Sequence, residues 1–160
     1  MAMILKRLSW DIHPESWRSR QRIKAIKNSH LGEKAIIVCN GPSLLNVDFS
    51  KINDLYTFGL NKINLLFEKT DFRPNSIVAV NSFVLDQNAD FYDNTNIHLF
   101  LSSYAKKNKL ILKSSGVDYL HLSGNNFAHD CSMSISEGHT VTYVAMQLAY
   151  EDNLIATLPT

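Results

Sequence analysis

The sequence predicts an α/β domain built on a doubly wound, mostly parallel sheet with flanking helices. Three observations lead to it. Short apolar runs recur along the chain and alternate with helical candidates, the pattern of strand-helix-strand units in a parallel sheet. The run Ala35-Ile36-Ile37-Val38-Cys39 is apolar throughout and rich in β-branched residues, as suits a central strand buried on both faces. Chain-breaking residues, Asn40-Gly41-Pro42-Ser43, stand at its carboxyl end, where open α/β sheets bind their ligands.

The chain opens with a basic, aromatic arm over residues 1–31. Trp10 and Trp17 sit there among Lys6, Arg7, Arg18, Arg20, Arg22, Lys24 and Lys27, opposed only by Asp11 and Glu15. A helix over Trp17 to Lys27 would pack Trp17, Ile23 and Ile26 on the domain and leave its charges in water. The alternative is peripheral contact with an anionic membrane surface or an acidic partner, since Trp favours interfaces and Lys and Arg are drawn to anionic lipid. Gly32 ends this segment, and residues 32–160 form the single predicted domain. Strands are predicted over Lys34 to Cys39, Leu55 to Leu60, Ser76 to Val80, Ile97 to Leu101 and Tyr119 to Leu122. Helical candidates lie over Ile63 to Lys69, Tyr104 to Lys113 and Thr140 to Tyr150. Leu154 to Leu158 would add an edge strand; without it the sheet ends unpaired and a homodimer would cover the edge.

Composition narrows the function classes. The 160 residues suit one domain, long enough to bury about 68–70% of its unfolded surface. A formal net charge of +1 gives no global attraction to nucleic acid. Cys39 and Cys131 lie far apart and neither belongs to a C-x-x-C pair, which argues for a reducing, cytoplasmic setting and against a disulfide framework or zinc site. No apolar run approaches the roughly 18 residues needed to span a bilayer. Met1 to Leu8 is too short and too charged for a signal peptide.

Asn40, Asn61 and Asn81 each fall just after a predicted strand, so a parallel sheet would gather three amides along one crevice. An amide offers both a donor and an acceptor, and can read a base edge, a ribose hydroxyl or a phosphate without carrying charge. Asn is also favoured in turns for its own sake, because it tolerates unusual backbone angles. Further on, Ser134-Ile135-Ser136-Glu137-Gly138-His139-Thr140-Val141-Thr142 runs into an apolar stretch and reads as a helix N-terminus. Its free N–H groups favour a phosphate, with Ser136, Thr140 or Thr142 as hydroxyl donors or as ordinary caps. His139, at that helix start, is the candidate general acid or base. His129-Asp130-Cys131 holds a base near a nucleophile, yet adjacency in sequence does not make a triad. Asp118, Tyr119 and His121 read as packing or solvent-facing; Tyr104, Lys106 and Lys107 read as a solvated face within reach of a substrate phosphate.

Together, Ile36-Ile37-Val38-Cys39-Asn40-Gly41-Pro42-Ser43-Leu44, Asn61, Asn81-Ser82 and Ser136-Glu137-Gly138-His139-Thr140-Val141-Thr142-Tyr143-Val144-Ala145 resemble a Rossmann-like superfamily with two known enzyme types. One comprises the bacterial CMP-sialic-acid-dependent sialyltransferases; the other comprises the archaeal 6-hydroxymethylpterin pyrophosphokinase and its bacterial relatives, several of which look like surface-polysaccharide enzymes. The resemblance covers roughly Arg22 to Tyr150. It implies that Asn40, Gly41, Pro42 and Ser43 sit by the donor phosphate and ribose, that Asn61, Asn81 and Ser82 contact the nucleotide or its sugar, and that Ser136, Gly138 and Thr140 approach the cytidine portion. The activity implied is a transferase of the glycosyltransferase type, moving a sugar from a CMP-sugar donor to an acceptor hydroxyl with no required cofactor or metal. The pyrophosphokinase branch implies ATP and Mg²⁺ instead, with carboxylates drawn from Asp86, Asp90 or Glu137. A non-catalytic nucleotide-binding or assembly module is the third reading. Relatives continue past the last helix into a Gly-Tyr or Gly-Phe turn, a further strand and a Gly-x-Asp segment, beyond which lie the catalytic Tyr pair and general-base His of the sialyltransferases. Here Ala149-Tyr150 runs into Glu151 to Thr160, so the expectation is a shortened relative in which those roles have no counterpart.

Overall fold

The apolar run after Gly32 becomes β1 (Lys34–Val38), and five further runs become β2 (Tyr56–Leu60), β3 (Ser76–Ala79), β4 (His98–Ser102), β5 (Val117–Leu120) and β6 (Ile155–Thr157). In the computed structural model, which describes residues 2–124 and 126–157, they form one sheet in the order β5-β4-β3-β2-β1-β6. Every pairing is parallel, where the sequence predicts mostly parallel, so the α/β Rossmann-like class holds without an antiparallel exception. Met1, at the head of the predicted arm, and Leu158, at the end of the predicted edge strand, lie outside the described residues.

Parallel strands need crossovers, and these cover both faces, which is why β1 to β5 are buried along nearly their whole length. Alternate side chains go to opposite cores. Ile36, Val38, Ile77 and Leu99 meet one layer, made of α3 (Ser82–Gln87), α4 (Ala89–Asn94), α5 (Ser103–Lys107) and the 3₁₀ turns Pro42–Asn46 and Ile63–Leu66. Ile37, Phe58, Val78 and Phe100 meet the other, made chiefly of α6 (Val141–Glu151) with Ile23, Cys131 and Ile135. From β5 the chain crosses behind the sheet through α6 and returns as β6 on the far side of β1, so the strand order reverses at β1.

Several helices differ from expectation. Ile63 to Lys69 forms only a 3₁₀ turn over Ile63–Leu66. The helix predicted to Lys113 stops at Lys107, because Lys109 turns with φ +55° and Leu110 N–H donates back to the Ala105 carbonyl. Residues 82–94, which carry no clear apolar period, fold as two short helices divided at Asn88.

The arm folds as α1 (Ala2–Asp11) and α2 (Pro14–Ala25), and Trp17, expected to pack on the domain, does not. Trp10 is buried and meets the Tyr119 ring edge-on, whereas Trp17 is 64% exposed; Ile23 packs inward as expected. The reason is what α2 covers. It lies along the open edge of β5, so its inward face must answer backbone groups rather than an apolar surface, and that face is Glu15, Ser16, Ser19 and Ile23. Ser19 Oγ accepts from Tyr119 N–H at 2.9 Å, and Arg22 donates to the Val117 carbonyl at 2.7 Å. Arg22 also donates through Nε to the fully buried Asp118 and through Nη2 to Glu15 at 2.7 Å, while His98 Nε2 lies 3.1 Å from the other Asp118 oxygen. Burial alone would lower the Arg22 pKa, but the hydrogen bonds that it donates to Glu15 and Asp118 outweigh it and hold the pKa above the ordinary value. Among the described residues no helix is long and apolar enough to cross a membrane.

Removing Arg22 strands a carboxylate that has no access to water. Arg22→Met is expected to lower unfolding free energy by about 3 kcal/mol, and Arg22→Met with Asp118→Leu to cost less than the sum of the single changes. Chemical denaturation of the three variants measures both; additive losses would mean that the pair is not coupled.

Candidate functional site

The strand register brings the expected amides to one edge. Val38 pairs with Gly59 and Leu60 with Val78, so β1, β2 and β3 end side by side, with Asn40, Asn61 and Asn81 following three neighbouring strands about 4.8 Å apart. Asn40 is exposed, and with Gly41 it lines two cavities. One, of about 850 Å³, continues past Cys39, Ser43, Asn46 and Lys51. The other, of about 210 Å³, is bounded by Pro42, Leu66, Lys62 and Lys69. Pro42 opens the 3₁₀ turn that carries the chain away, and Leu44 N–H closes it on the Gly41 carbonyl at 3.0 Å.

Asn61 adopts φ +47°, the left-handed conformation that Asn accepts more readily than most residues. Its backbone is held on both sides: the N–H donates to Val78 carbonyl and the carbonyl accepts from Tyr92 Oη, each at 2.9 Å. Burial pushes the Tyr92 hydroxyl up to about 12, so it stays a proton donor. The Asn61 Oδ1 atom is buried and has no hydrogen-bond partner in the protein. Lys62 follows, its ammonium 2.7 Å from Gln87 Oε1, and puts positive charge beside Asn40 and Gly41. Sequence reading missed Lys62, although its place directly after Asn61 at a strand end was the available signal.

Asn81 serves differently. Its Oδ1 accepts from Phe83 N–H at 2.9 Å and Val84 N–H at 3.4 Å, capping α3, and Ser82 is the first, half-buried residue of that helix. At the start of α6, Thr140 Oγ1 accepts from Tyr143 N–H at 3.2 Å. Thr142 Oγ1 lies 3.8 Å from Cys39 Sγ, so this N-terminus abuts the end of β1 as the sequence requires of a shared crevice. Gly138 has φ +53°, and a Cβ there would stand 2.1 Å from the Tyr143 ring, so only glycine fits. His139, at φ +65°, is exposed beside it.

Ser136 is 1% exposed, and its hydroxyl donates to the Gly124 carbonyl at 3.2 Å. What holds this loop is Gln147, a fully buried amide that sequence reading passed over although it interrupts an otherwise apolar helix. Its Oε1 accepts from Ala128 N–H and Ser136 N–H, and its Nε2 donates to the Ser136 and Tyr143 carbonyls. Gln147→Leu leaves buried backbone groups unpaired and is expected to cost about 3 kcal/mol. Hydrogen exchange should report faster opening at Ala128 and Ser136 with unchanged protection in β1 to β4; uniform loosening would refute the local role.

Other candidates resolve as structure. Burial, then the Glu151 and Asp130 charges, push the Cys131 thiol far above its ordinary range, and it donates to the Gln147 carbonyl at 3.3 Å, so it is no nucleophile. Asp118 and Tyr119 are buried. Tyr104 Oη donates to Asp86, Lys106 stands over the Tyr119 ring, and Asp90 accepts from Asn94. Glu137 is exposed. Among the described residues no three His, Cys, Asp or Glu side chains converge as metal ligands. A cavity of about 440 Å³ at the amino end of β2 is lined by Thr57, Thr70 and Asn75; Asn75 Oδ1 accepts from Thr57 N and Oγ1 at 2.8 Å each, and the buried Thr70 Oγ1 has no hydrogen-bond partner in the protein.

A cavity of about 300 Å³ at the ends of β4 and β5 is lined by Ser103, Tyr104, Lys107, His121 and Ser123. Burial, with the Arg7 and Lys107 charges, lowers the His121 pKa from 6.5 to about 4. Between these values the unfolded chain binds a proton that the folded chain refuses, so stability falls as pH drops from 6.5 toward 4. The partly open ring limits the loss to about 1–2 kcal/mol. His121→Gln should flatten this part of the pH–stability curve; an unchanged curve would assign the acid sensitivity elsewhere.

No family model, curated protein or solved structure matches this chain.

Proposed function

We propose that the protein binds a nucleotide or nucleotide-activated sugar at the carboxyl edge of its sheet, as a glycosyltransferase-like protein of surface-glycan synthesis with a CMP-sugar donor. The observation that carries this reading is Asn61, whose buried Oδ1 lacks a partner and stands next in line to the exposed Asn40. A buried acceptor calls for a donor, and a ribose hydroxyl or a base amine supplies one. Lys62 and Lys69 bring positive charge to the cavity that Asn40 lines, and the start of the 11-residue helix α6 adds free N–H groups for a phosphate.

In glycosyl transfer, the bond from the anomeric carbon to the donor phosphate oxygen breaks and a bond to the acceptor oxygen forms. The acceptor's proton passes to a base, and the departing phosphate carries charge that Lys62 and the α6 N–H groups would stabilise. His139, exposed at the head of α6, is the candidate for the proton exchange. Cytoplasmic residence agrees with two unpaired thiols, Cys39 and Cys131.

Thermal shift against CMP, CDP, UDP, GDP and ATP, each with and without Mg²⁺, tests the reading. A nucleotide at about 100 times its Kd stabilises by about 2.7 kcal/mol, roughly 5–11 °C for a chain of this size. Metal-independent stabilisation by CMP is expected, lost in Asn40→Ala while the unliganded midpoint is unchanged. Metal-dependent stabilisation by ATP alone would instead support the pyrophosphokinase-like reading, and no response to any nucleotide would leave a structural module.

A further inference from the structure

The first helix of the chain has two apolar stripes, and only one of them is used. Trp10 faces the domain and is 1% exposed. Ile4, Leu5 and Leu8 lie within about 100° of one another around the helix, and Ile12, just past its end, continues the row at the same four-residue spacing. They are 65%, 61%, 54% and 81% exposed in that order, an apolar face that covers nothing. Trp17 extends the patch. Its indole Nε1 donates to the Asp11 carbonyl at 2.8 Å, which fixes the ring beside the end of α1 while 64% of the residue stays in water.

Charge decides what this face meets. Residues 1–31 hold seven Lys and Arg against two Asp and Glu, a net of +5 in a chain whose total is +1, so residues 32–160 carry −4. Part of the positive charge is already paired: Arg7 and Arg20 with Asp11, Arg22 with Glu15 and Asp118, and Lys27 with Glu151 at 3.9 Å. Lys24 remains in water on α2 about two turns beyond Trp17, and Arg18, 64% exposed, reaches Glu15 only at 3.6 Å. An exposed apolar stripe flanked by an indole and by cations matches the interface of an anionic bilayer, where apolar side chains enter the acyl boundary, Trp sits at headgroup depth and each cation gains from lipid charge. A second copy fits less well, because a two-fold contact through this face would gather the Arg18 and Lys24 charges of both copies at one interface.

We propose that the outer face of α1, with Trp17, Arg18 and Lys24, is a docking surface for anionic membrane lipid, holding the domain at the bilayer surface without spanning it. This does not depend on the nucleotide reading.

Co-sedimentation of the full chain with vesicles of phosphatidylcholine and phosphatidylglycerol, against phosphatidylcholine alone, is the test. Binding is expected only with phosphatidylglycerol and should weaken as salt rises. Leu5→Ser with Leu8→Ser should abolish it, and Arg18→Gln with Lys24→Gln should weaken it about five-fold per charge, roughly twenty-five-fold together. Both pairs of substitutions lie on the surface and should leave the melting temperature within about 2 °C of the parent. No binding to either vesicle, equal binding to both, or undiminished binding by the leucine pair would overturn the proposal. So would a dimer in solution that the leucine pair converts to monomer.

Discussion

Asp118 is a carboxylate shut off from water in the last strand of an open sheet edge, and the protein has to meet its charge. Arg22 does so and in the same reach satisfies the Val117 carbonyl, while Ser19 takes the Tyr119 N–H. One helix thereby neutralises a buried ion and closes a strand edge that would otherwise invite pairing with another chain. The orientation of α1 follows, because Trp10 can pack on Tyr119 only once α2 lies along β5. The surface that α1 turns outward is therefore set by an ion pair on its neighbour.

The opposite arrangement governs the carboxyl edge. There the framework is rigid and satisfied, and a few polar atoms are left over. Tyr92 and Val78 hold the Asn61 backbone, Gln147 holds the loop before α6, and Asn81 holds the start of α3. The side chains of Asn40 and Asn61 are not spent in this way. An edge of this kind is preorganised, and under the proposed nucleotide reading little ordering cost would fall on a ligand.

The strands were legible because burial on both faces demands unbroken apolar runs, and β1 to β4 fall within a residue or so of their expected limits. β5 begins earlier than expected because Asp118, a polar residue, sits inside it with its charge paired. The amides were legible as strand-end residues, but sequence does not separate an Asn that caps a helix from one that is free, and Asn81 and Asn61 take those two fates. Trp17 was misjudged since amphipathic reasoning assumes an apolar surface beneath a helix, whereas α2 rests on backbone. Gln147 stands out locally as a polar residue in an apolar helix, but its partners, Ala128 and Ser136, lie in an irregular loop 19 and 11 residues earlier that no periodicity locates.

The clamp on β5 also sets an order of events. Arg22 lies 96 residues from Asp118, and Ser19 lies 100 from Tyr119. Contacts that distant carry a loop-closure cost before they return any energy, and they slow folding. At about 5–20 residues per second, a ribosome that has made α2 needs roughly 5–20 s to deliver the strand it closes. Through that interval α2 has no edge to cover and Trp10 lacks the Tyr119 ring, so the earliest part of the chain is among the last to find its place.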